Sequence, residues 1–244
     1  MKANQELSEL KSFLLCKISQ PLPSVVRIVE KSVPIVFFGN IEKAEIATLS
    51  LNPSNKEFVK KGIKRLVDRE VLGVKDNEKL NSQQAEMVYQ SLLCYFKKNP
   101  YKGWFNHLNK LFQNKGYEYY NDKIVHLDIS PWATSDKWNK LSKDQRESII
   151  DSSDSPIIKK VIELSNIRYL FINGKTTFDV FRELCKITPE NIQEKNFEYL
   201  TKSGSKRNLT IYESTFLGRK VVAWNLYVQR SCPDILTQQI QHYL

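Results

Sequence analysis

Metal-binding and redox residues are scarce in this chain, with four cysteines and three histidines in 244 residues. Cys16, Cys94, Cys185 and Cys232 lie far apart and form no C-x-x-C pair, so neither a zinc site nor a disulfide framework is indicated. His107, His126 and His242 add no compact ligand set, and neither a metal nor any other cofactor is expected. Long apolar runs are also missing, since nothing approaches the roughly 20 residues of a membrane span. Residues 1–20 carry Glu6 and Glu9 among their apolar positions, where a signal peptide has an uninterrupted core. A soluble, cytoplasmic protein without a membrane partner is expected. No internal repeat is visible, which excludes a solenoid or propeller.

What is present is enough apolar residue, 41%, to build a sizeable core as one domain spanning residues 1–244. Two segments interrupt that plan: an N-terminal extension at 1–34, with an amphipathic helix over 7–18, and a charged insertion at 55–80. Either reads as surface decoration, but the insertion follows Asn52 directly and could instead cover a site or grip a strand of DNA. The net charge is +10, and the basic residues cluster. Lys56, Lys60, Lys61, Lys64 and Arg65 form one group, and Lys97, Lys98 and Lys102 a second. Lys202, Lys206 and Arg207 form a third, with Arg219 and Lys220 beyond it. Such a surface attracts a polyanion, although lysine runs are also ordinary solvated faces.

The pattern along the chain alternates. Apolar runs at 46–51, 123–127, 168–172 and 220–224 each stop on a polar, Pro or Gly cluster, as strands do where a loop begins. Between and around them, helical spacing appears at 83–96, 104–115, 143–165, 177–185 and 233–243, each long enough for a crossover. The expectation is an α/β protein, three layers αβα, with a central, mostly parallel, four-stranded sheet. Segments 197–200 and 209–216 read as a hairpin feeding the last strand. Ligands in such folds bind outside the carboxyl ends of the strands. Those ends carry Asn52-Pro53-Ser54, then Asp128, then Asn173-Gly174-Lys175-Thr176, then Asn225-Leu226-Tyr227-Val228-Gln229-Arg230-Ser231. The same residues also make turns without any ligand.

In order, these motifs resemble the uracil-DNA glycosylase superfamily over most of residues 46–244. L-N-P-S is similar to the first motif of the mismatch-specific branch, which implies a catalytic position at Asn52, with Pro53 and Ser54 beside the base. N-P-Y-K-G-W-F, with Trp104, Phe105 and Gly116 in the helix that follows, resembles the segment carrying the aromatic platform for the extruded base. That places the platform at Tyr101, with Phe96 second. The end of run 123–127 is similar to the base-reading strand and gives Asp128 that role. Y-L-F-I-N-G-K-T-T-F-D-V-F looks like an architectural strand, glycine turn and helix, implying DNA contacts at Lys175 and Thr176. V-V-A-W-N-L-Y-V-Q-R-S aligns with the motif that pinches DNA and wedges the stack, implying a catalytic-loop residue at Asn225 and DNA contacts at Tyr227, Gln229, Arg230 and Ser231. This last motif departs from the His-Pro-Ser of many members, so no histidine assists, and the cysteine spacing does not match the iron-sulfur members.

The resemblance implies a monomeric, monofunctional DNA glycosylase that needs no metal. An amide at position 52 orients water but takes no proton, so the reaction is slower than with a carboxylate unless the base leaves easily. An ionised Asp128 only accepts hydrogen bonds, which suits the exocyclic amine of cytosine or adenine and repels O4 of uracil; protonated, it could give a proton to cytosine N3. The expected substrate is a modified cytosine, and anti-phage members of the superfamily that remove glucosylated hydroxymethylcytosine are a precedent. The alternatives are a uracil or mismatch repair glycosylase and an inactive DNA-binding or inhibitory protein of the same fold. A third is a small-molecule glycosyl or phosphate enzyme using Gly174-Lys175-Thr176 as an anion turn. Trp132 and Trp138, interleaved with Lys137 and Lys140, suit either stacking on DNA or core packing.

Overall fold

The structure, a computed structural model, describes residues 2–24, 27–58, 64–151, 156–201, 203–230 and 232–244. Its elements run α1 (Lys2–Ile18), β1 (Ile46–Ser50), α2 (Arg69–Leu72), α3 (Ser82–Leu93), α4 (Lys102–Asn109), β2 (Ile124–Asp128) and α5 (Lys143–Ile149). They continue with α6 (Ile157–Leu164), β3 (Tyr169–Asn173), α7 (Lys175–Leu184), β4 (Gln193–Leu200), β5 (Lys206–Phe216), β6 (Arg219–Trp224) and α8 (Asp234–Gln241).

The protein is α/β, with one six-stranded, mostly parallel sheet in the order β2-β1-β3-β6-β5-β4. Strands β2, β1, β3 and β6 are parallel neighbours and correspond to the four apolar runs. The expected four-stranded sheet is therefore too small: the β4–β5 hairpin does not merely feed β6 but pairs with it antiparallel and extends the sheet. The short Leu217-Gly218 turn, both residues at positive φ, returns the chain directly alongside β5.

β1 and β2 are buried on both faces, as crossover-covered parallel strands must be. One face presents Thr48, His126 and Phe171 in register, against rings from the chain before β1, from α4 and from the segment after it: Phe38, Trp104, Phe105, Phe112 and Tyr119. The opposite face is covered by α7, where Phe178 stacks on Tyr212 and Phe181 meets Phe216 edge-on. Glu213, next to Tyr212 on β5, points to the first face, and there the Tyr243 hydroxyl, just after α8, donates to its buried carboxylate.

Three further expectations change. The single helix over 143–165 is two helices. A capping box at Ser142 and Gln145 starts α5, and Pro156, which has no amide hydrogen to give a helix interior, precedes α6. The helix over 104–115 stops at Asn109, and a 3-10 turn ending on left-handed Gly116 follows. The N-terminal extension is no decoration, because Leu10, Leu14 and Ile18 lie in the main core.

Arg69 ties this extension to the charged insertion. Its fully buried guanidinium group donates to the backbone oxygens of Gln20, Ser32, Lys75 and Glu78. Trp132 and Trp138 fill a smaller apolar cluster with Ile28, Leu141 and Ile149, so core packing is their role. Among the described residues no helix is long and apolar enough to cross a membrane.

Candidate active site

Register decides which strand ends meet. Ser50 pairs with Asp128 across β1 and β2, so the loop opening at Asn52 leaves the sheet beside Asp128. Side chains two apart on a strand share a face, and Thr48 and Ser50 therefore lie alongside His126 and Asp128.

Thr48 is satisfied, and His126 is bonded through Nδ1. The Thr48 hydroxyl lies 2.7 Å from the Tyr119 hydroxyl and 2.7 Å from His126 Nδ1. If Tyr119 donates to Thr48 and Thr48 to Nδ1, the ring hydrogen lies on Nε2, 3.6 Å from Asp128 Oδ1. That separation is too long for a hydrogen bond. Asp128 is 7% exposed, and its Oδ1 has no hydrogen-bond partner among the described residues; neither has the buried Ser50 hydroxyl. A buried acceptor left this way costs about 1–3 kcal/mol, so the strand ends hold polar capacity that the fold itself does not use.

Asn52 is half-buried and oriented. Its amide nitrogen donates to Thr134 Oγ1 at 2.8 Å and to Pro53 O at 3.2 Å, and Thr134 in turn donates to Asp136 O at 2.7 Å. Among the described residues nothing donates to its Oδ1, so the carbonyl end remains an uncommitted acceptor. Pro53 is buried, and Ser54 caps the 3-10 turn Asn55–Glu57 by accepting from Lys56 N.

That turn brings in Glu57, which sequence reasoning missed. It is 2% exposed, its Oε2 accepts from the Tyr95 hydroxyl at 2.6 Å, and burial pushes its carboxyl up to about 7. The Tyr95 bond and the Arg65 charge oppose that rise, while the Asp128 charge adds to it. Tyr95 also accepts from Tyr101 N at 2.9 Å, which links this carboxyl to the expected platform.

Tyr101 is half-buried. Lys56 Nζ donates to its hydroxyl at 2.8 Å, and the Arg65 guanidinium carbon lies over the ring, 5.2 Å from its centroid. Arg65 Nη1 donates to Lys56 O at 2.6 Å, while its buried Nε has no partner among the described residues. A base stacking on that face must displace Arg65. Trp104, also half-buried, sits edge-on to His126 with centroids 4.8 Å apart.

Two expected site residues do other work. Phe96 is 5% exposed, stacked on Tyr119 at 4.6 Å and edge-packed on Tyr95 and Phe105, so it has no face for a base. A Cβ on Gly39 would lie 2.8 Å from its ring, which shows how closed this packing is. Asn225 lies two strands from β1, and both ends of its amide hold β5: Oδ1 accepts from Thr210 N and Nδ2 donates to Asn208 O. It latches the hairpin to β6 through both ends of its amide.

The remaining positions form a separate part of the rim. Buried Asn173 organises it, with Oδ1 accepting from Trp224 Nε1 and Val228 N, and Nδ2 donating to Gln229 Oε1 at 3.0 Å. Tyr227 lies against Gly174, where an added Cβ would meet its ring at 2.6 Å. Lys175 pairs with Asp179, and Thr176 and Arg230 are exposed. Ser231, like Lys60, Lys61 and Lys202, lies outside the described residues.

Two cavities lie elsewhere. One of about 190 Å³ is lined by Lys17, Trp132 and Asp151 among others, and one of about 390 Å³ by Lys115 and the α8 end. Among the described residues no three His, Cys, Asp or Glu side chains come together as a metal site. No protein-family model matches the chain, and no curated protein matches it in sequence.

Proposed function

We propose that the protein is a monofunctional DNA glycosylase of the uracil-DNA glycosylase type. It hydrolyses the N-glycosidic bond of a flipped, modified cytosine and leaves an abasic site. The observation that carries this reading is the pairing of an oriented amide, Asn52, with a buried carboxylate oxygen that has no hydrogen bond, that of Asp128, at adjacent strand ends. The four parallel strands inside the sheet agree with the fold that the resemblance implies.

The chemistry divides between the two residues. Extruding a base costs a few kcal/mol and calls for a pocket with stacking and hydrogen-bonding groups. Asp128 accepts from the exocyclic amine of cytosine and disfavours O4 of uracil. Asn52 Oδ1 accepts a hydrogen of the attacking water and aims its oxygen at C1′ as the sugar becomes cationic, while Thr134 keeps the amide from turning. The net charge of +10 draws DNA to the surface. A modification must mark the base, since a cell cannot excise the ordinary cytosine of its own genome. The glucosylated hydroxymethylcytosine of phage DNA is the first substrate to try.

Arg65 over Tyr101 favours a second reading, a DNA-binding or inhibitory protein of the same fold that never stacks a base. One experiment separates the readings. Genomic DNAs carrying cytosine, hydroxymethylcytosine, its glucoside or uracil are incubated with wild type and Asn52→Ala, and alkali-labile sites are counted. Sites on modified-cytosine DNA that disappear with Asn52→Ala support the glycosylase. Sites on uracil DNA alone would make it a repair enzyme. Tight DNA binding without sites on any DNA would favour the inactive protein.

A further inference from the structure

The glycosylase reading gives the reaction a water-positioning amide and a base-reading carboxylate, but no source for the proton that a cytosine needs in order to leave. Cytosine departs poorly as an anion, and protonation at N3 lets the electron pair of the C1′–N1 bond settle on a neutral base. Asn52 cannot supply a proton, and Asp128 is already assigned to the exocyclic amine.

We infer that Glu57 is that acid, delivering a proton from Oε1 to N3 of the base while Asp128 Oδ1 accepts from the neighbouring amine. The inference rests on the glycosylase reading and deepens it, because it assigns the proton donor that a cytosine-type leaving base needs. Three observations carry it. Glu57 follows Asn52 through a single 3-10 turn, so the fold anchors both residues at the same strand end. Its carboxyl group is 2% exposed and bonded to a phenol rather than to a cation, an environment that keeps an acid protonated. Tyr95 donates to Oε2, which leaves Oε1 as the oxygen free to carry and deliver a proton.

The groups facing Glu57 from the packed elements are the Tyr95 phenol after α3, the Arg65 guanidinium from the insertion, and the Asp128 carboxyl from β2. Their sum with burial leaves the acid near 7, where Brønsted behaviour makes a neutral-pH proton donor most effective. The step balances. The C1′–N1 bond breaks with its electrons going to N1, the Glu57 proton goes to N3, and water oxygen bonds to C1′. The proton released by that water passes to solvent, from which Glu57 is reprotonated.

The test uses single-turnover base release from duplexes containing one hydroxymethylcytosine or its glucoside, followed from pH 5.5 to 9. Wild type should lose rate tenfold per pH unit above about 7, following deprotonation of the acid. Glu57→Gln should be slower by about 100-fold or more at pH 6 and flat across the range, the size expected for losing a general acid. Tyr95→Phe is the decisive companion: removing a bond that favours the carboxylate raises the acid further, so the alkaline limb should move to higher pH. A purely structural role would not shift that limb. Glu57→Gln within about threefold of wild type, with the same limb, overturns the inference and leaves the glycosylase reading standing. Wild type that releases no base from either duplex overturns both.

Discussion

Glu57→Gln also has a consequence for stability that requires no substrate. A carboxyl whose ordinary value is 4.5 stands near 7 in the fold, mainly because burial penalises its charge. At about 1.4 kcal/mol for each tenfold step, that displacement corresponds to about 3 kcal/mol between the two protonation states. The native state binds the proton more tightly than the unfolded chain, so the contribution is fully present below about 4.5. It is lost progressively as the pH rises through about 7. Glutamine has nearly the same shape, still accepts from Tyr95, and never ionises. Urea unfolding of wild type and variant from pH 4 to 8.5 should give a difference near zero at the acid end. By pH 8.5 the variant should be the more stable by about 3 kcal/mol. A difference that stays flat, or a variant that becomes the less stable at high pH, would refute the reasoning. It would mean that Arg65 holds Glu57 as an anion.

Other parts of the site and fold can be perturbed separately. Thr134→Val removes the hydroxyl that fixes the Asn52 amide, and should lower the single-turnover rate by roughly 10- to 100-fold at unchanged DNA affinity, read by rapid quench and by anisotropy. Arg69→Met strips the donor from four backbone oxygens and should cost about 3 kcal/mol or more in urea unfolding, loosening the N-terminal helix with the insertion. Gly174→Ala puts a Cβ 2.6 Å from the Tyr227 ring at a φ of +99°, and should cost about 1–3 kcal/mol while weakening DNA binding through the loop after β6.

The sequence carried the frame of the molecule because the frame is periodic. Four apolar runs ending on polar clusters appear as four parallel strands, and the positions of Asn52 and Asp128 follow from where those runs stop. What stayed hidden depends on three-dimensional pairing. Asn225 sits at a strand end like the others, but only the β5–β6 register reveals that its amide is consumed by the hairpin. Phe96 and Tyr101 look alike as aromatic neighbours, yet the helix break between them turns one into the core and leaves the other half-buried. His126 could have been found, since His and Asp two apart on a strand must share a face. Glu57 could not, because a lone Glu within N-K-E-F-V-K-K reads as a solvated charge, and only tertiary burial makes it an acid.

Whether the amide at position 52 drives base release beside Asp128 is read from single-turnover release of free base from a glucosylated hydroxymethylcytosine duplex. Wild type should release the base and leave an abasic site. Asn52→Ala should lose about 100-fold or more in rate while binding the duplex as tightly, and Asn52→Asp, which restores a group able to take a proton, should retain or exceed the wild-type rate. Base release that is indifferent to Asn52→Ala would contradict the account.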